Sequence, residues 1–439
     1  MNDAAATQTT EEREALRRIF QHAMDECSME KAFARNVRYE DGALRIVDDL
    51  YALPDYDRVL AISIGKAAHT MVESLVARVG TRVRGVSAGP TEPATMMPGF
   101  EYYRGGHPLP DAGSVRAAEA ILRVLRSVTE RSLVIFLISG GGSALVEKPV
   151  LDFSMDELMA TYRVLVHSGA PIAQINTIRK HLSAVKGGRL ARAAAGARQV
   201  SGFIVDVPEN TLDALASGPT MPDTTTVEDC YRIAAQYEMT PQFPPAVREL
   251  FAQRALEETP KSDDPAFVHS RWWVLLSNSS ALRTAEEWAK REGFTVEVDN
   301  SCDDWDYLPA ADYLLDKLRR MRQQGSRACL ISGGEVTVKV TNGGAGGRNQ
   351  QFALYCATKI AGENMAVLSA GTDGIDGNSP AAGAIADGQT VARARSLGFD
   401  PQTALASFNA YPLFEKLGDA IMTGPTGTNV RDLRILIAW

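Results

Sequence analysis

Cysteine is scarce in this chain of 439 residues: Cys27, Cys230, Cys302, Cys329 and Cys356 are odd in number, widely spaced and free of any Cys-x-x-Cys pair. Such spacing excludes a disulfide framework and a structural zinc, and fits reduced thiols in a reducing compartment. Long apolar runs are missing too. None is longer than Leu133 to Ile138, far short of a membrane span. The polar, acidic stretch 1–12 has no apolar segment of the kind a secretory signal needs, so a cytoplasmic location is expected. Positive charge is not in excess. Lys and Arg number 46 against 54 Asp and Glu, a net charge of −8, which argues against broad binding to nucleic acid or an anionic membrane and still permits a local basic pocket. With 45% hydrophobic and 23% charged residues, the composition is that of a soluble globular protein, long enough for two or three domains.

Two signatures of nucleotide chemistry are also absent. The Gly-x-x-x-x-Gly-Lys-Ser/Thr phosphate loop fails because Gly65-Lys66 is followed by Ala67 and has Leu60 at the first glycine position. Dinucleotide fingerprints fail at Gly140-Gly-Gly-Ser-Ala-Leu145 and at Gly344-Ala-Gly-Gly-Arg-Asn349, where the last glycine is missing.

The strongest positive feature is the stretch 133–143, a branched apolar run that breaks into three glycines. A run of this kind reads as a central strand of a parallel sheet feeding a ligand-facing loop. Leu330-Ile331-Ser332-Gly333-Gly334-Glu335 repeats most of Leu137 to Gly142, so two similar strand ends are expected to face one ligand from two domains. Upstream, strand 58–64 ends at Gly65-Lys66 and runs into helix 67–79, placing Lys66 at a helix start, where phosphate or carboxylate is welcome. Helices are also predicted over 10–27, with Thr10 as cap, over 114–126, and over 154–167, opened by the capping box Ser154-Met-Asp-Glu157. A basic helix over 176–195 carries Arg179 and Lys186 on one face, within reach of an anion, with most of its other charges solvated. His107, between glycines and prolines, reads as structural or substrate-contacting. Strand 200–207 delivers Asp206 to its carboxyl end, where open α/β sheets place their ligand crevice, as a metal ligand or proton acceptor.

Prolines and charges over 240–271 mark a connector. Beyond it strands and helices alternate, which implies α/β layers again. Gly343-Gly344-Ala345-Gly346-Gly347 leads into Arg348-Asn349-Gln350. So many glycines read as close approach of backbone to a ligand, with Arg348 as an anion clamp at the helix start. In Gly371-Thr-Asp-Gly-Ile-Asp-Gly377, Asp373 and Asp376 stand where they could bind magnesium or form a tight turn.

Taken together, Ile64-Gly-Lys-Ala67, Gly106-His-Pro108, Ser139-Gly-Gly-Gly-Ser143, Asn176 with Arg179-Lys-His181 and Lys186-Gly-Gly188, Asp206-Val207, Ser217-Gly-Pro-Thr220, Ser332-Gly-Gly-Glu335, Gly346-Gly-Arg-Asn-Gln350, Gly371-Thr-Asp-Gly374 and Gly424-Pro-Thr-Gly-Thr-Asn429 resemble the glycerate 2-kinases of the MOFRL family. Some members carry an older label of hydroxypyruvate reductase, from tartrate utilisation. The resemblance implies an α/β fold, with a Rossmann-like three-layer amino-terminal domain over 1–250 and a smaller MOFRL-type α/β domain over 265–439, and an active cleft between them. It implies a cytoplasmic kinase that uses ATP and Mg2+ to phosphorylate the 2-hydroxyl of D-glycerate, with no nucleic-acid or membrane partner and room for a homodimer. Lys66 and Arg348 are then the catalytic cations, with Asp206 beside them. Gly140, Gly141, Gly142, Ser143, Arg179, Lys186, Ser217, Glu335, Gly346, Gly347, Asn349 and Asp373 would bind substrate or nucleotide, and Asp206 and Asp373 the metal. One departure stands out: the family's Ser-Asp-Val-x-Gly-Asp reads Val205-Asp-Val-Pro-Glu-Asn210 here. The alternatives are an NAD(P)H-dependent hydroxypyruvate reductase and a non-catalytic protein that binds a small anion and nucleotide.

Overall fold

The apolar runs of the sequence become the inner strands of two six-stranded sheets, accompanied by a small three-stranded one. The structure, a computed structural model, describes residues 3–439 except Asp152, Ser326 and Asn342. It divides into two units, Phe33–Leu275 and a second composed of Met1–Ala32 with Leu276–Trp439.

The first unit opens with an antiparallel meander of β1 (Val37–Glu40), β2 (Ala43–Ile46) and β3 (Asp49–Ala52). Its main sheet contains β4 (Arg58–Ile64), β5 (Val83–Gly89), β6 (Phe100–Arg104), β7 (Ser132–Ile138), β8 (Arg198–Ile204) and β9 (Ser270–Leu276), in the order β6-β5-β4-β7-β8-β9. Strands β4 to β8 run parallel. Every residue of β7 is buried, as a central strand covered on both faces requires. The chain leaves β4 toward β5 and β6, then returns to place β7 on the other side of β4. That reversal is the topological switch point where such sheets bind ligands. Ile62, Val134, Phe136 and Ile138 pack with Ala117 and Ile121 of the helix Ala112–Leu125 in one core. A second core joins the helices Met155–His167, Ile172–His181, Val227–Gln236 and Pro245–Ala252 through Leu158, Ile178, Ile233 and Phe251.

The second unit is built on β10 (Thr295–Val298), β11 (Ala328–Ser332), β12 (Met365–Gly371), β13 (Gly383–Asp387), β14 (Ala420–Ile421) and β15 (Asp432–Ala438), ordered β10-β11-β15-β12-β13-β14. Only β10 and β11 pair in parallel; the remaining pairs are antiparallel. The first helix, Asp3–Glu26, belongs to this unit rather than to an amino-terminal domain. Its Leu16, Ile19 and Phe20 are buried among Leu282, Ile435 and Ile437, and Arg13 bridges to Asp387 and Asp419. Thr10 lies inside that helix and does not cap it.

The basic segment 176–195 is not one helix. Ile172–His181 ends, Gly187 and Gly188 take left-handed conformations with φ of 55° and 80°, and a short helix, Arg189–Ala193, follows. Arg179 and Lys186 therefore share no helical face. Nor are the charges all solvated, because Lys180 and Lys186 are buried. All five cysteines are free and buried, and among the described residues no helix is long and apolar enough to cross a membrane.

Candidate active site

The loops after β4, β7 and β8 meet at the switch point of the first unit. Backbone bonds tie the first two: Lys66 N–H donates to Gly140 O at 2.8 Å, Ser139 N–H to Ile64 O at 2.9 Å, and Ala67 N–H to Ser139 Oγ at 3.1 Å. Gly65, with φ of 125°, has no room for a side chain, since a Cβ would lie 2.2 Å from Ser139 Oγ. The three glycines that follow β7 are each matched to a neighbour. A Cβ on Gly140 would fall 1.6 Å from Asp206 Oδ2, one on Gly141 3.1 Å from both His107 Cδ2 and Lys66 Cγ, and one on Gly142 2.8 Å from Ala216 Cβ. Lys66, His107 and Asp206 are thereby gathered around one loop. Burial, with the nearby Lys66 charge, holds the His107 imidazole below its ordinary pKa. Among the described residues, the N–H groups of Gly141, Gly142 and Ser143 have no protein acceptor.

Ser217 sits beside this loop in strained backbone. Ala216, Ser217 and Gly218 adopt φ of 50°, 62° and 60° in succession, left-handed values that cost non-glycine residues energy and cluster at functional sites. Gly187 N–H donates to Ser217 O at 3.0 Å and Gly188 N–H to Gly218 O at 2.7 Å.

Lys186 does something other than reach an anion. It is fully buried against Glu147, whose carboxylate also accepts from Tyr162 OH at 2.7 Å and Ser183 Oγ at 2.5 Å. Burial depresses the Lys186 pKa against the pull of Glu147 and raises that of Tyr162. Lys186 and Gly142 of the glycine loop line the same small void. Arg179 stacks on the Tyr162 ring with Cζ 4.8 Å from its centroid.

In the second unit Arg348 begins the helix Arg348–Lys359. Its Nε and Nη2 donate to Asp432 at 2.7 and 2.9 Å, and Nη2 also meets Glu335 at 2.9 Å. Burial works against the charged guanidinium, but the ion pair with Asp432 outweighs it and raises the pKa. Arg348, Glu335, Gly346 and Gly347 line a pocket of about 550 Å³ together with Val336, Val338 and Phe408. Two of the glycines answer to protein rather than ligand. A Cβ on Gly344 would strike Phe408 O at 2.4 Å, and one on Gly347 would strike Asp376 Oδ1 at 2.3 Å.

Asp376 is not half of a metal pair with Asp373. It is buried and accepts the backbone N–H groups of Asn349 and Gln350 at 3.0 and 2.9 Å, closing the start of that helix. Burial pushes its pKa up to about 6. Asn349 is buried as well, and its side chain accepts from Ser369 Oγ at 2.6 Å. Asp373 remains in its own loop, with Oδ1 accepting from Ile375 N–H at 3.2 Å. Among the described residues no group of three or more His, Cys, Asp or Glu could hold a metal ion.

Sequence reasoning missed the frame behind Arg348. Asn278 accepts from Gly334 N–H and donates to Val430 O and Asp432 O; Asn300 and Asp303 accept the amides of Gly333 and Glu335. Arg431 is clamped by Asp303 at 2.6 and 2.7 Å, and Arg434 is buried beside Asp432. The signal was Asp432-Leu-Arg434 at alternate positions of an otherwise apolar strand. The two Ser-Gly-Gly copies thus serve different local ends: the amides after β11 are taken up by side chains, whereas those after β7 are not.

Residues 15–252 match the family described as "Domain of unknown function (DUF4147)" and residues 328–432 the "MOFRL family". The D-glycerate 2-kinase of Thermotoga maritima is 36% identical over 405 residues, 89% of this chain and 93% of that protein. Glycerate 2-kinase of Pyrococcus horikoshii is 36% identical over 389 residues, 87% of each. The crystal structure of glycerate kinase from Thermotoga maritima superimposes with a TM-score of 0.87 at 32% identity, covering 98% of this chain and all of that one. The chain belongs to the glycerate 2-kinase family of the MOFRL type.

Proposed function

We propose that this protein transfers the γ-phosphoryl group of ATP to the 2-hydroxyl of D-glycerate, giving ADP and 2-phosphoglycerate. The observation that carries the reading is the convergence of Lys66, His107 and Asp206 on the Gly140–Ser143 loop at the switch point, in a chain whose relatives are named for this reaction. Lys66 is exposed and is assigned to the glycerate carboxylate. Asp206 is assigned to the 2-hydroxyl, accepting its proton as that oxygen bonds to phosphorus and the bond to the bridging oxygen of ADP breaks. Arg348 neutralises charge on the transferring phosphoryl group, the main demand of this reaction.

Mg2+ fits only as a partner of the nucleotide. Magnesium is commonly bound by one or two carboxylates together with phosphate oxygens, and Asp206 and Asp373 are the carboxylates assigned to it. When bound, the ion would supply further charge neutralisation. The free, buried cysteines suit work in the cytoplasm. The reductase alternative is disfavoured by the turn after β4, Gly65-Lys66-Ala67, which puts a lysine where a dinucleotide site needs its glycine fingerprint.

The test is direct: purified protein with ATP, Mg2+ and D-glycerate, followed for ADP, beside NADH oxidation with hydroxypyruvate. Glycerate-dependent ADP release is expected. NADH loss without ADP release would overturn the reading.

A further inference from the structure

The pocket of the second unit is larger than a three-carbon acid requires. At about 550 Å³ it falls within the range of sites that enclose a small organic ligand or cofactor. One wall is apolar, lined by Val338, Val340, Phe408 and the almost fully buried Val336. The segment through Val336 and Val338 is extended and paired on one edge only. Glu335 O accepts from Asp304 N–H at 2.8 Å, Thr337 N–H donates to Trp305 O at 2.8 Å, and Thr337 O accepts from Tyr307 N–H at 3.0 Å. Successive residues of an extended chain turn their N–H and C=O groups to opposite edges, so Val336 and Val338 offer theirs to the other side. Among the described residues, neither has a protein partner for these groups. An unpaired edge beside an apolar wall suits a planar ring that presents a donor next to an acceptor, as adenine does. Gly343 adds open space, since a Cβ placed there would meet nothing within 4 Å, and Arg348 stands at the glycine end of the same pocket.

The first unit offers the reverse. Its loop glycines are already filled against Asp206, Lys66, His107 and Ala216, and the void behind the loop, lined by Ile64, Val185 and Leu190, is only about 10 Å³. Around that loop stand the charged or titratable groups of Lys66, His107 and Asp206.

We propose that the second unit binds the adenosine part of the phosphate donor, with the base against Val338 and Phe408 and hydrogen-bonded to the free edge, and that the first unit takes the acceptor acid. The assignment rests on the kinase reading above. It is tested with Val338→Trp, which fills the half-buried slot, and Phe408→Ala, which removes part of its wall. ADP affinity is measured by titration calorimetry, the KM values for ATP and glycerate by steady-state kinetics, and folding by thermal unfolding. Expected is a rise of about tenfold or more in both KM for ATP and Kd for ADP, with KM for glycerate held within about twofold. A rise confined to glycerate, or unchanged ADP binding in both variants, would overturn it. Should Val338→Trp fold poorly, Phe408→Ala, which adds no bulk, gives the answer. A wild-type protein that binds ADP through this pocket but never turns over glycerate would sink the kinase reading and leave the pocket standing. Turnover undisturbed by either variant would do the opposite.

Discussion

At the scale of single residues, Lys66 and Arg348 look alike in sequence and differ in the fold. Lys66 is exposed, so Lys66→Ala should lower kcat/KM for glycerate by about a hundredfold or more and leave stability within about 0.5 kcal/mol of the parent. Arg348 is the partner of a fully buried carboxylate, Asp432. Arg348→Ala should therefore lose both activity and roughly 2–3 kcal/mol of stability, since breaking a buried pair strands a charge. Arg348→Ala combined with Asp432→Asn should recover stability in denaturant titrations but not turnover. A double variant no more stable than the single would contradict this account of Asp432. Asp376 sets a pH dependence. Its folded pKa, raised to about 6 from 3.8, means that the neutral form favours the fold. The contribution is complete below about pH 4 and is lost as pH rises through about 6, on the order of 3 kcal/mol. Unfolding free energies measured between pH 4 and 8 should show this loss in the parent and a flatter profile in Asp376→Asn.

At the scale of elements, two kinds of glycine can be told apart by substitution. Gly140→Ala would drive a methyl into Asp206 Oδ2, and it should cost activity by about a hundredfold with a destabilisation of about 1–3 kcal/mol. Gly343→Ala meets no protein atom within 4 Å, so its stability should be unchanged or raised by up to about 1 kcal/mol through the unfolded state. Equal effects in kinetics and thermal unfolding would refute the distinction. Sequence could not draw it, because a run of glycines announces close approach without saying what approaches. Strands β4, β7, β11 and β12 were legible from short branched runs, and the capping box of Met155–His167 from Ser154 and Glu157. The break at Gly187-Gly188 was not, because hydrophobic spacing continued across it and only the partner of Lys186, Glu147, far off in sequence, makes burial of the lysine tolerable. Strands β5 and β13 were missed for a related reason: alanine and glycine at their positions carry weak strand preference, and pairing with neighbours decides them; β6, with Phe100, Tyr102 and Tyr103, did carry a strand signal.

At the scale of the whole molecule, the chain order α/β, connector, α/β was readable, but the home of the first helix was not. An amphipathic stripe says that Leu16, Ile19 and Phe20 need a core, without saying whose. They find it in the second unit, each worth about 2 kcal/mol on burial. Removing residues 3–26 should therefore destabilise that unit severely, seen as loss of its cooperative thermal transition. An unchanged transition would place the helix outside the core. The family's motifs fall into two separate sets, the switch-point loops with Lys66 and Asp206, and the pocket with Arg348 and Glu335, and the proposed reaction draws on both. Its central claim, phosphorylation at the 2-hydroxyl of glycerate, is tested most directly by proton-coupled phosphorus NMR of the product formed from D-glycerate, ATP and Mg2+. Phosphate on the 2-oxygen couples to a single carbon-bound proton and gives a doublet, the result expected; a triplet, from phosphate on the terminal carbon's oxygen, or no new ester signal, would contradict it.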